Sequence, residues 1–190
     1  GGLLEQTVEM LQLADTLLTY YPRLNPDLLR VGVLLGNIGR ARAFETKCSI
    51  EHSDEGELLG SVMLTAEMVT LAIAAIPDFP TDLALQVKHL IAAQNGKYEY
   101  GSPRLPMTLE AMALAQLSEM TAQVNRFAGL LAAKPEGTTW TERDGLLGRA
   151  LYAPAPTTPD VAQDVLADDD AEGDPEAFIF TAGEAIGEGM

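Results

Sequence analysis

Residues 34–40 read LLGNIGR, an apolar run that drives into Asn37, Ile38 and Gly39 and ends on the basic Arg40. Such a run closed by glycine is a helix end, and Gly39 suits a left-handed residue after the last turn. The same helix has its start written equally clearly. Asn25 is an N-cap, Pro26 takes the first helical position and Asp27 stands beside it. Between these signals the helix runs through the apolar Leu28, Leu29, Val31, Val33, Leu34 and Leu35.

The flanking chain supplies the partners. Leu3 to Tyr20 has apolar residues at 4, 8, 11, 14 and 18, a helical stripe stopped by Tyr21-Pro22. Residues 41–52 are mixed and read as a connector. Ser53 caps a long helix, acidic in its first turn (Asp54, Glu55, Glu57) and apolar from Leu58 to Ile76, ended by Pro77 and Pro80. Another helix is expected from Thr81 to Gln94, then a loop from Gly96 to Pro106 rich in Gly and Pro. Thr108 caps a fifth long helix running toward Leu131, and residues 135–139 break it. Trp140 to Tyr152 reads as a short docked helix whose Trp140, Leu146, Leu147 and Leu151 need cover. The fold class is all-α, a helical bundle over residues 1–152. Residues 153–190 turn to Pro, Thr, Ala and Asp and are expected to be a disordered acidic tail. Inside it Ala177 to Phe180 is a short apolar island.

Charge narrows the function classes. Of the formal −16, ten carboxylates fall after residue 150, where there is no Lys or Arg, so the first 150 residues carry the remaining −6. A mildly acidic body argues against an extended phosphate-backbone footprint. Cys48 is alone, which excludes an internal disulfide and fits a reducing cytoplasm. No stretch approaches the roughly 18 uninterrupted apolar residues of a membrane span, so no membrane partner is expected. The start, GGLLEQ, has neither Met nor a basic signal region, as expected of a processed, trimmed or incomplete chain.

Several landmarks fall together in order: GGLLEQ at 1–6, LLGNIGR at 34–40, DEGELLGS at 54–61, KHLIAAQNGKYEYGSPRLPMTLEA at 88–111 and WTERDGLLGRALY at 140–152. In this order the chain resembles the HD domain of YhaM-type 3′→5′ exoribonucleases, within the HD metal-dependent phosphohydrolase superfamily. That resemblance implies a helical bundle in which His and Asp converge on divalent metal, polarise phosphate and generate hydroxide. It also implies that most of those ligands are replaced here. The first His is matched by Gln6, the His-Asp pair by Gly36 and Asn37, and the His of the next helix by Ser61. A Ser-His-His-Gly segment is matched by Ala93, Gln94, Asn95 and Gly96, and the ligands of the fifth long helix by Ala115, Ser118 and Thr121. His89, in KHLI, matches a retained His.

The expectation is therefore a catalytically inactive HD-type domain used for binding, scaffolding or regulation, with no cofactor. Mn²⁺ or another divalent metal would return only if this ligand inventory were wrong. His89 reads as a hydrogen-bonded core histidine and His52 as surface. Arg40, Arg104, Lys88 and Lys97 are candidate anion contacts. Two other classes stay open: a metal-dependent exoribonuclease with residual or altered activity, and a nucleotide- or metabolite-sensing domain. A protein partner for the acidic tail and self-association into a homo-oligomer are expected. Nucleic acid alone is not, because the resemblance implies an OB-type nucleic-acid-binding domain in active members that these 190 residues do not contain.

Overall fold

The computed structural model describes residues 2–46 and 50–154; Cys48 and the expected tail with its apolar island lie outside them. The chain divides into two units, residues 1–134 and 135–190.

In the first unit α1 (Gly2–Tyr20) leads through a tight turn into α2 (Pro26–Gly36). The Asn25 side chain accepts from the Asp27 and Leu28 N–H groups, as its position before Pro26 demands. Asn25 donates its own N–H to Glu110 Oε1 at 2.9 Å, fastening the α1–α2 turn to the start of α6 (Leu109–Ala132). After α2 come a single turn, α3 (Arg40–Ala43), and an antiparallel pair, β1 (Phe44–Thr46) with β2 (Ile50–His52). Ser53 caps α4 (Asp54–Ala74) by accepting from Gly56 N–H, and Thr108 caps α6 by accepting from Ala111 N–H. Between them α5 (Thr81–Ala93) runs to Gln94, followed by a 3₁₀ turn at Tyr98–Tyr100.

α2 packs against α1, α4, α5 and α6, and so forms the axis of the bundle. Leu29 and Val33 of α2, Leu90 and Ile91 of α5, and Leu114 of α6 are the sealed centre. The architecture is predominantly helical, as the apolar periodicity predicts, with one small hairpin where a connector was expected.

Three expectations need correction. The α1 stripe does not start at Leu4 and Val8, which are 70% and 47% exposed; Ala14 of the expected stripe is buried, Leu11 and Leu18 pack against the core, and Met10 joins them. Gly39 is not left-handed: its φ is −62°, and glycine is required because any Cβ there would strike the Ser61 carbonyl and Thr65. Residues 140–152 form no helix. In the second unit, Trp140 and Tyr152 make an antiparallel bridge with their rings 5.0 Å apart. Thr141 donates its N–H to the Leu151 carbonyl, and Asp144 Oδ1 accepts from Leu146 and Leu147 N–H groups, a side-chain turn that competes with a helix. Trp140 and Leu146 remain exposed rather than covered.

α4 has a break of its own. Gly60 adopts φ 72°, ψ 156°, a region essentially reserved for glycine, and separates the acidic first turns from the rest. Among the described residues α4 is also the helix whose length and apolar composition would suffice to cross a membrane. Its mid-helix Glu67 pairs with Arg42 at 2.9 Å, and Glu55 pairs with the same guanidinium at 2.8 Å. Those bonds raise the Arg42 pKa, while the hydrogen bond from Arg42 holds Glu55 below its usual range.

The junction of α2, α3 and α4 rests on Thr65, which is fully buried. Its Oγ1 accepts from Gly39 N–H at 3.0 Å and donates to the Ser61 carbonyl at 2.8 Å. Thr65→Val keeps the shape and orphans the Gly39 N–H, so it should cost about 1–3 kcal/mol. Thr65→Ser, which keeps the hydroxyl, should cost less. Urea denaturation followed by far-UV circular dichroism measures both, and a neutral Thr65→Val would show that this hydroxyl is not what holds the junction.

Candidate functional site

α2 ends by delivering Gly36 and Asn37 to the middle of the bundle. Gly36 is buried, and a Cβ placed on it would collide with Gln94 Oε1. The side chain that position 36 lacks has been replaced in space by the Gln94 amide, reaching over from the C-cap of α5. Gln94 is 7% exposed and its amide makes no hydrogen bond among the described residues. Ser61 is half-buried on α4, and its carbonyl is held by Thr65 Oγ1.

The remaining candidate positions are mostly engaged with backbone. His89 Nε2 accepts from Met107 N–H at 2.9 Å, so this nitrogen carries a lone pair and the ring proton sits on Nδ1. The bond ties α5 to the loop before α6 and uses the lone pair a metal would need. Asn95 donates Nδ2 to the Tyr100 carbonyl at 3.0 Å, closing the 3₁₀ turn. Thr121 is buried and donates to the Leu117 carbonyl one turn back along α6 at 2.7 Å. Gln6, Asn37 and Ser118 are half-buried. No group of three or more His, Cys, Asp or Glu able to share a metal exists among the described residues. A glycine, neutral amides and an imidazole already used as an acceptor do not fit a catalytic divalent ion, which calls for several strong ligands and an open position.

The four candidate cations are dispersed. Lys97 donates to Glu119 Oε1 at 3.1 Å and lies over the Tyr100 ring; the bond to Glu119 is the main cause of its raised pKa. Arg104 is exposed on its loop, with its backbone N–H on the Ala92 carbonyl. Lys88 is half-buried on α5, and Arg40 is exposed at the start of α3.

Three of the cavities among the described residues bear on function, and none of these three is lined by Gly36, Gln94 or His89. An open groove of about 910 Å³ is lined by Leu4, Leu34, Phe44 and Ile50 together with Arg40, the one candidate cation on any of the three. A second, about 370 Å³, lies between Tyr21, Leu24, Met112 and Met120. The third, about 490 Å³, opens between α2, α4 and α5. Sequence reasoning reached none of them, because each depends on side chains from elements distant in the chain.

The chain is similar to the 3′-5′ exoribonuclease YhaM of Bacillus subtilis, with 35% identity over 157 residues, covering 81% of this chain and 49% of the relative. The proteins of the same name from Listeria welshimeri and a Geobacillus species are each 32% identical, over 154 and 155 residues. The chain thus spans about half the length of the curated relatives it matches. No family model matches it, and no solved structure matches it.

The contact between positions 36 and 94 is directly testable. Gly36→Ala must displace the Gln94 amide, whereas in a Gln94→Ala background the space is free and alanine favours the helix. A double-mutant cycle by urea denaturation should give a coupling of about 0.5 kcal/mol or more, alanine at 36 being better tolerated when 94 is alanine. Strict additivity would mean that Gln94 does not fill the space beside Gly36.

Proposed function

We propose that this YhaM-like chain, related through its HD-type helical domain to proteins named 3′-5′ exoribonucleases, is a catalytically inactive member that works as a binding, scaffolding or regulatory module. The observation that supports this reading most is Gln94 Oε1 standing against Gly36, where the resemblance implies a metal-binding imidazole. Hydroxide at neutral pH requires a metal held by three or so strong ligands with one position open. His89 is spent on Met107, and the other matched positions bring neutral oxygens and nitrogens or no donor. The fold around them is intact, with three side-chain caps and a sealed core.

On this reading the partner is another protein, and the acidic residues 153–190 are the part offered to it, with self-association a further use of the apolar helix faces. On the same reading neither membrane nor nucleic acid alone is the partner, and the lone Cys48 fits a reducing cytoplasm. The names of the relatives favour a second reading, a metal-dependent nuclease of altered activity. A polar-pocket sensor of nucleotides is the third.

The discriminating assay uses 5′-labelled single-stranded RNA and the purified chain with Mn²⁺. No shortening above the protein-free control is expected. Shortening that disappears in His89→Ala would overturn the inactive reading in favour of the nuclease.

A further inference from the structure

The cavity between α2, α4 and α5 has a composition unlike the old catalytic centre. Its volume, about 490 Å³, lies within the range of small-molecule sites. Leu28, Val69 and Val87 form its buried floor, and the exposed Ile76 and Leu83 stand at its rim. Apart from Asn25 and Asp27 every lining residue is apolar, and Asp27 is the only charged one. Asn25 is already committed: its Oδ1 caps α2 and its N–H is held by Glu110. The exposed Asp27 carboxylate has no partner among the described residues.

The segment that brings Phe79 to this cavity is strained. Asp78 has φ 55°, the only left-handed non-glycine among the described residues, and it lies between Pro77 and Pro80. Such a conformation disfavours most side chains and persists where its surroundings fix it. Here it sets the half-buried Phe79 as a wall of the cavity.

We propose that this cavity binds an aliphatic molecule carrying a single cationic head, its chain among Leu28, Val69 and Val87 and its ammonium on Asp27. Apolar walls select for hydrocarbon in proportion to the methylenes they remove from water. One unpaired carboxylate at an otherwise apolar site, on an acidic chain, favours a cation and repels an anion of the same length. The site shares no residue with the positions matched to the metal centre, so it stands whether or not the chain hydrolyses RNA.

Calorimetric titration of the full chain with n-octylammonium, n-octanol and n-octanoate, below their aggregation concentrations, tests it. Octylammonium should bind one to one, about tenfold or more tighter than octanoate. Shortening the probe to n-hexylammonium should weaken binding by about fifteenfold. Asp27→Asn should remove the preference for the cation and leave octanol binding in place. Ala72→Trp, at an exposed position lining the cavity, should abolish binding of all three with an unchanged circular dichroism spectrum. If that variant fails to fold, Leu83→Trp fills the same space from α5. Octanoate binding as tightly as octylammonium would overturn the assignment of the head group. Undiminished binding by a folded Trp variant, or no binding by the wild-type chain at millimolar probe, would overturn the site.

Discussion

The close approach of the α2–α3 turn to α4 is the constraint on which the rest of the bundle depends. Gly39 lies so near the α4 backbone that a methyl group would not fit, and its N–H finds the Thr65 hydroxyl in a place water does not reach. Because the turn is pinned there, α2 cannot slide along its axis. Leu29 and Val33 of α2 then share one core with Leu90 and Ile91 of α5 and Leu114 of α6. Arg42 adds a surface clamp to Glu55 and Glu67 on the same helix, but exposed ion pairs contribute little beside a buried hydrogen bond.

With the turn pinned, the interior beside it is packed by side chains from several helices. Position 36 lies one short turn before the pinned Gly39, and filling it from α5 with the Gln94 side chain keeps the interior packed without a metal. His89 has likewise become a fastener, accepting a backbone N–H from the loop that leads into α6. The Gln94 amide fills space here, while the His89 imidazole and the Thr65 hydroxyl each accept a backbone N–H.

Local chemistry was legible in the sequence, and tertiary geometry was not. Asn25, Ser53 and Thr108 cap the helices they announce, because a cap is an interaction within four residues. The stop within residues 34–40 was legible but the role of Gly39 was not: α2 ends at Gly36, and Gly39 answers to α4, across a gap of 26 residues to Thr65. Leu4 and Val8 fit a stripe by spacing alone, but α1 turns Met10 and Ala14 to the core. Trp140 to Tyr152 has enough apolar residues for a helix, but Asp144 bonds the next N–H groups and Gly148 takes φ 63°, which together favour a turn. At the site, residue types read from the resemblance showed which donors were missing. That Gln94 fills the space beside Gly36 could come only from coordinates.

The central claim is that this interior no longer holds a hydrolytic metal. The most direct measurement is metal content by mass spectrometry after the folded chain has been incubated with Mn²⁺ and desalted. Less than about a tenth of an equivalent should remain, since retention needs several strong ligands around one ion. Near-stoichiometric Mn²⁺ on the wild-type chain would contradict the account.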